Sequence, residues 1–552
     1  MNVAEAVGRA LVAVGVDLVA GVVGSGNFHV TNAMVAAGAR FVASRHEGGA
    51  ATIADAYART ADRPAALSVH QGCGLTNAMT GIAEAAKSRT PLIVLAAEAT
   101  NRHSNFFVDQ DALATAVGAL SHRIADPATA VADTVEAVAA AVHGRRTVVL
   151  NLPLDVQVAE IPDGIAPDTA VLPPPPAPPH PSPEAVARLV EALRVAERPV
   201  FVAGRGARSA AARDAVVDLA ERCGALLATS AVAKGLFVGH PWSLDVSGGF
   251  SSPVVAELIA DADLIVGWGC ALNMWTMRHG ALIGPGATVV QVDDTASALG
   301  AHRALALGGE GDVAVTARAA GEGWGREGWG RVASGYRSPA VAERLRSGRR
   351  WQDVPFEDTS TQERIDPRTV SLALDDLLPA DRVVGVDSGN FMGYPSMFLD
   401  VPDERGFCFT QAFQAIGLGL ATAIGAALAQ PDRLPVAAVG DGGLTMSAAE
   451  LDTVRRLGLP MVVVVYDDDA YGAEVHHFGP DGHDISTVRF PETDLAAVAR
   501  GYGFTAVTVR SVADLDPVRT WLAGPLDTPL LIDAKVVEDQ PSWWLEEAFR
   551  GH

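Results

Sequence analysis

Short apolar runs alternate with longer, Ala-rich runs of helical period along nearly the whole chain, and this alternation constrains the fold more than any other feature. Strand-then-helix repeats build βαβ units, and βαβ units build parallel sheets covered by helices. The expected strands are 17–23, 40–43, 65–69, 91–96 and 147–150, then 199–203, 225–229, 263–267 and 288–292, then 383–386, 435–439, 461–466 and 529–533. Between the first and second groups the chain reads Leu172-Pro-Pro-Pro-Pro-Ala-Pro-Pro-His-Pro-Ser-Pro183, which can form neither helix nor ladder and acts as a semi-rigid spacer. Between the second and third lies a Gly-, Trp- and Arg-rich stretch from Gly321 to Arg350, where Gly-Trp-Gly-Arg at 323–326 recurs at 328–331. The repeat is too short for a solenoid. The fold class expected is α/β, with three doubly wound parallel-sheet domains. Their bounds are 1–163, 186–320 and 363–540, joined by a Pro-rich linker (164–185) and a second linker (321–362), with a tail at 541–552.

Composition agrees with large buried cores, since 49% of the 552 residues are hydrophobic and 19% charged, which excludes a disordered chain. The net charge of −23 opposes nucleic-acid binding and docking on anionic membranes. Cys73, Cys223, Cys270 and Cys408 show no CxxC spacing, so neither a disulfide framework nor a zinc site is expected. The start, Met-Asn-Val-Ala-Glu, has no basic cap and no cleavable apolar segment, so a cytoplasmic location is expected. Residues 406–431 carry no charge but are dotted with Gln and Gly, and are expected to form a core helix rather than a membrane span. Gly204-Arg205-Gly206 follows an expected strand but lacks the rest of a nucleotide-binding fingerprint, and a plain tight turn is expected there.

The strongest chemical signal is Val439-Gly-Asp-Gly-Gly443 followed by Val465-Tyr-Asp-Asp-Asp-Ala-Tyr-Gly472. Two apolar strands each end in an acid, Asp441 and Asp468, separated by 468 − 441 = 27 positions. Ligands of open α/β sheets gather at the carboxyl ends of strands. Mg²⁺ takes one or two carboxylates together with phosphate oxygens and water. Two strand-end carboxylates beside a Gly-rich turn therefore point to a Mg²⁺–phosphate site. Helix capping by either acid alone is the simpler alternative, which the pairing disfavours.

These motifs, with Arg45-His46-Glu47, Gln71-Gly72-Cys73-Gly74-Leu75-Thr76-Asn77, Asp387-Ser388-Gly389-Asn390 and Ala415-Ile416-Gly417, occur in the order found in thiamin-diphosphate-dependent enzymes. Over nearly its full length the chain resembles the acetolactate synthase and pyruvate decarboxylase family. The resemblance implies pyrimidine-binding, central and diphosphate-binding domains in that order. It implies thiamin diphosphate and Mg²⁺ as cofactors, and a homodimer or dimer of dimers. It places the metal on Asp441, Asp468 and the carbonyl of Ala470, and the diphosphate on Ser388, Asn390, Gly442 and Gly443, beside Tyr471. Ile416 would prop the cofactor into its bent shape and the carbonyl of Gln414 would accept from its amino group. Glu47 would hydrogen-bond the pyrimidine ring and promote its imino tautomer. At the start of an expected Ala-rich helix just after a strand, Glu47 is expected to be poorly solvated and competent to share a proton near neutrality; helix-dipole stabilisation alone is the alternative.

The departures bear on the reaction. Asp467-Asp468-Asp469 stands where the family usually has an amide, so either the metal affinity compensates or Asp467 and Asp469 point away. His70 replaces a small residue that usually faces the cofactor, beside Cys73 and Asn77, and Val23 replaces a common proline. His70 is either a proton carrier or a histidine satisfied within its loop; His29, His476 and His477 are expected to be structural. Glu474 matches the acid that assists protonation in simple 2-oxo acid decarboxylases. Asn105-Phe-Phe-Val-Asp-Gln110 lacks their His pair, and Gln110 is the candidate glutamine of carboligating members. Gly267-Trp-Gly-Cys-Ala-Leu-Asn273 stands where flavin-binding acetolactate synthases carry an Arg-rich run, so FAD is not implied. The leading expectation is acetolactate-synthase-like decarboxylation of a 2-oxo acid with carboligation. A non-ligating decarboxylase, a 2-hydroxy ketone lyase, a flavin-using oxidase of the same fold and a non-catalytic binding or regulatory homologue are the alternatives.

Overall fold

The computed structural model describes residues 1–326, 334–538, 541, 542, 544 and 545; the second Gly-Trp-Gly-Arg copy (328–331) and tail residues 546–552 lie outside the described residues. The strands form three six-stranded sheets, parallel throughout. The first contains β1 (Leu18–Gly21), β2 (Arg40–Ala43), β3 (Ala65–Val69), β4 (Leu92–Glu98), β5 (Leu120–Arg123) and β6 (Thr147–Pro153), in the order β2-β1-β3-β4-β6-β5. The central sheet contains β7 (Pro199–Ala203), β8 (Leu226–Thr229), β9 (Ser243–Val246), β10 (Leu264–Trp268), β11 (Thr288–Asp293) and β12 (Leu307–Glu310), in the order β12-β11-β10-β7-β8-β9. The third contains β13 (Arg382–Val386), β14 (Phe407–Phe409), β15 (Leu434–Gly440), β16 (Val462–Asp467), β17 (Thr505–Val509) and β18 (Leu530–Lys535), in the order β14-β13-β15-β16-β18-β17. Helices cover both faces of such sheets, so their inner strands are continuous apolar runs; every residue of β4 and β16 is buried.

Counted within each sheet, the outer two share one strand order, whereas the central sheet has the order in which a ligand crevice opens between its first and fourth strands, β7 and β10. The Gly204 turn lies at that point, and a Cβ on Gly206 would fall 2.8 Å from Gly269 Cα, so it is a close-packed turn.

The cores follow a different division. One apolar core runs through both outer domains, from Leu18, Ile53 and Leu67 to Leu420, Ile424 and Val463. It is joined where helix Glu47–Ala61 crosses helix Gly419–Ala429 so closely that a Cβ on Gly425 would lie 2.3 Å from Ile53 O. The central sheet has a separate core on each face. Tyr336, Val341 and Leu345, within the stretch expected to be a linker, belong to one of these.

The charge-free run is not one helix. It forms β14, a loop turned by Gln414 (φ +60°) and Gly417 (φ +85°), and helix Gly419–Ala429. That helix needs no charge because almost all of it is buried between its own sheet and helix Glu47–Ala61. Among the described residues, no helix is long and apolar enough to cross a membrane.

Candidate active site

The carboxyl ends of the outer sheets hold the expected site residues as two separate half-sites. In the first domain, Glu47 begins a helix just past β2, and Asn77 Nδ2 donates to Glu47 Oε2 at 3.0 Å. His70 ends β3, with Nε2 3.3 Å from Ser25 Oγ, Nδ1 3.1 Å from Gln71 O, and its ring edge-on to Phe106. Only glycine allows this placement of His70, since a Cβ on Gly24 would lie 2.1 Å from His70 Cδ2. Val23, Cys73 and Asn77 are exposed on the same face. Glu47 is half-buried rather than shielded from water.

In the third domain the loops after β13, β15 and β16 converge on a cavity of about 770 Å³. Ser388, Asn390, Gln414, Ile416, Asp441, Gly442, Gly443, Asp468, Ala470, Tyr471 and Glu474 all line it. Central-domain residues around Gly204 and Cys270 close its other side, and none of Val23, Glu47, His70, Cys73 or Asn77 reaches it.

Asp387, which sequence reasoning quoted but did not place in the site, organises this half. It is the first residue past β13 and fully buried, and its carboxylate accepts from the N–H groups of Ser388, Gly417 and Leu418 at 2.9, 3.0 and 3.1 Å. Burial pushes it up to about 6 despite these donors. Its position at the end of a buried strand was the available signal, the same one that marked Asp441 and Asp468.

Asp441 and Asp468 are both held well above the ordinary carboxylate range. Burial is the main cause for each, followed by Asp468 for Asp441 and by Asp467 for Asp468. Among the described residues neither has a cationic partner. The flanking acids point away. Asp467 pairs with Lys535 at 2.5 Å and Asp469 with Arg364. The second alternative posed by the triple aspartate is therefore the one observed.

The cavity suits an anionic phosphate with a hard cation. A Cβ on Gly442 would fall 2.6 Å from the Tyr471 ring and one on Gly443 2.2 Å from Asp387 Oδ2, so this turn keeps its backbone N–H groups bare. Gln411 lines the cavity, and its Nε2 has no hydrogen-bond partner among the described residues. Two desolvated carboxyls at the same cavity offer oxygen ligands of the kind a divalent ion takes.

Gln110 does not line the third-domain cavity. It is buried, and its Nε2 donates to Asn151 Oδ1 at 2.7 Å. A polar side chain beginning a short helix reads alike in sequence whether it faces a ligand or an inner strand, and Asn151 on β6 lies 41 positions away.

Descriptions of three protein families match in order. "Thiamine pyrophosphate enzyme, N-terminal TPP binding domain" matches residues 1–121, the corresponding central domain 186–320 and the C-terminal TPP binding domain 387–534. A sulfoacetaldehyde acetyltransferase of Rhodobacter capsulatus is 28% identical, over 93% of this chain and 90% of that protein. An acetolactate synthase large subunit of Parasynechococcus marenigrum is 27% identical, over 89% and 80%. A probable 2-ketoarginine decarboxylase of Pseudomonas aeruginosa is 29% identical, over 94% and 90%. The thiamine diphosphate-dependent 4-hydroxybenzoylformate decarboxylase of Rhodococcus jostii has the same fold, with a TM-score of 0.79 at 22% identity over 98% of this chain and all of that one.

Proposed function

Because the chain belongs to the thiamine pyrophosphate enzymes, we propose that it uses thiamin diphosphate and Mg²⁺ to cleave the bond between the carbonyl and carboxylate carbons of a 2-oxo acid, releasing CO₂ and protonating the carbon left behind. Asp441, Asp468 and the Ala470 carbonyl would hold the metal, and Ser388, Asn390, Gly442 and Gly443 the diphosphate. When bound, the cofactor supplies the electron sink for the pair left as CO₂ departs. The protein's part is orientation and proton management. Asn77 fixes the carboxylate of Glu47, which exchanges a proton with the cofactor's pyrimidine. His70, presented beside Ser25, donates the proton that completes the aldehyde, and Glu474 faces the same chemistry from the cavity side.

The single observation that carries decarboxylation over carboligation is the His70–Ser25 pair on the face of Glu47. The glutamine that favoured ligation, Gln110, is engaged inside the first domain. Acyl transfer to a second molecule is the competing reading, supported by the likeness to the acetyltransferase and to acetolactate synthase. A panel of 2-oxo acids decides between them, with CO₂, free aldehyde and ligated product measured separately. Aldehyde equal to CO₂, falling about 10²-fold in His70→Ala with cofactor affinity unchanged, is the expected result. Ligated product equal to CO₂, or unchanged aldehyde release in His70→Ala, would refute it.

The chain works as a homodimer in this proposal, each site joining Glu47 of one subunit to Asp441 of the other. Both half-sites are open on one chain and carry exposed apolar side chains, Val23 and Phe106 on one and Phe413 and Met446 on the other. Among the described residues, none of Val23, Glu47, His70, Cys73 or Asn77 lines the cavity that holds Asp441 and Asp468.

A further inference from the structure

The turn Asp467-Asp468-Asp469 places three consecutive carboxylates where an anionic diphosphate has to sit. Two cations divide them. Lys535 lies opposite Asp467 in the β16–β18 register and is almost fully buried; its Nζ reaches Asp467 Oδ2 at 2.5 Å and Thr493 O at 2.8 Å, with Asp533 at 3.5 Å. Arg364 pairs with Asp469 and also donates to Asp467 O at 3.1 Å and Val536 O at 3.0 Å. Asp469 adopts φ +53°, and its N–H donates to Asp467 Oδ1 at 3.1 Å, so the turn folds its outer carboxylates back onto the sheet. Asp468 alone is left facing the cavity with Asp441.

We infer that Arg364 and Lys535 are positioning residues that set the charge of the metal–diphosphate site, engaging Asp469 and Asp467 so that one carboxylate of the three meets the cation. This rests on the cofactor assignment above. Mg²⁺ bound through few carboxylates leaves its charge for the diphosphate, whereas a site with additional free carboxylates repels that anion and favours Ca²⁺, which takes more oxygen ligands. The arrangement also assigns a cause to this chain's tolerance of aspartate on both sides of Asp468.

The test is made at Arg364 and Asp469, because truncating Lys535 would strand a fully buried charge on Asp467. Thiamin diphosphate binding is followed by calorimetry on chelator-stripped full-length protein, with Mg²⁺ or with Ca²⁺. Asp469→Asn leaves the Arg364 charge uncompensated behind the turn and is expected to tighten Mg²⁺-dependent binding about threefold or more. If Asp469 were a ligand, the same change would weaken it. Arg364→Gln is expected to weaken Mg²⁺-dependent binding about tenfold and to shift preference toward Ca²⁺; Arg364→Gln with Asp469→Asn is expected to return both near the parent values. Unchanged or weaker binding in Asp469→Asn overturns the inference. So does a double variant as weak as Arg364→Gln, which would make the arginine a staple for the two carbonyls only. A parent chain that does not bind thiamin diphosphate overturns the cofactor assignment and this inference with it, whereas a binding parent with unresponsive variants overturns the inference alone.

Discussion

Glu84 and Glu450 make the same contact from opposite halves of the chain. Each sits on helix following the third strand of an outer sheet, and each is almost fully buried. Glu84 Oε2 accepts from Phe413 N at 2.6 Å, on the segment that leads to Gln414, Ile416 and helix Gly419–Ala429. Glu450 Oε1 accepts from Arg45 N and His46 N, both at 3.0 Å, directly before helix Glu47–Ala61. Burial opposes ionisation of Glu84, but Arg59 and the N–H groups of Phe413 and Ala412 hold its carboxyl below the ordinary range.

Removing Glu450 therefore loosens the ground on which Glu47 stands. Glu450→Ala leaves two part-buried N–H groups without their acceptor, at about 0.5–1.5 kcal/mol for each hydrogen bond lost. It is expected to lower Tm and to slow hydrogen–deuterium exchange at the cofactor's thiazolium carbon, while Glu450→Gln, which keeps an acceptor oxygen, stays closer to the parent. Equal exchange rates in parent and Glu450→Ala would show that the brace does not orient Glu47.

Glu47→Gln is expected to retain cofactor binding while turnover falls about 10²–10⁴-fold. An amide keeps a hydrogen bond but cannot share the proton, so the loss belongs in kcat more than in KM. Thiazolium-carbon exchange as fast as in the parent would make Glu47 structural.

Asp441→Ala is expected to abolish Mg²⁺-dependent binding of thiamin diphosphate, read by calorimetry with and without chelator. The raised native carboxyls of Asp441 and Asp468 add a pH signature. Between the ordinary carboxylate value of about 4 and neutrality, the cofactor-free fold holds protons that the unfolded chain has released. Its stability therefore falls as pH rises through that window. Mg²⁺ with thiamin diphosphate should flatten the fall, as should Asp441→Ala; a Tm independent of pH there would contradict the coupling.

Subunit complementation checks the shared site. Glu47→Gln and Asp441→Ala chains, unfolded and refolded together, form heterodimers holding one intact site and one doubly defective site. Random pairing then restores about a quarter of parent activity. Restoration indistinguishable from zero, with heterodimers demonstrated, would place both residues in one subunit's site.

The strands legible in sequence and the strands that were not differ in position. The thirteen expected strands fall on β1–β4, β6–β8, β10, β11, β13, β15, β16 and β18. The remaining five, β5, β9, β12, β14 and β17, are all at sheet edges. An edge strand has one hydrogen-bonded neighbour and less cover, so β17 (Thr505–Val509) has one buried residue in five and β12 alternates buried with exposed. Neither yields the apolar run by which Val462–Asp467 announces itself. The site shows a similar limit. Asp441 and Asp468 were marked by the strands they end, whereas the partners of Asp467 and Asp469 lie 68 and 105 positions away, on Lys535 and Arg364, and only folding joins them.

The core common to the two outer domains sets how the molecule comes apart. Three domains in sequence need not mean three cooperative units: the first and third close one apolar core across helix Glu47–Ala61 and helix Gly419–Ala429, while the central sheet closes two of its own. Calorimetric melting should thus resolve into two transitions, the outer pair unfolding together and the middle separately. A cut in the proline run would divide the common core between the fragments, so each outer domain should melt lower alone than with its partner fragment, while the central domain keeps its own two cores.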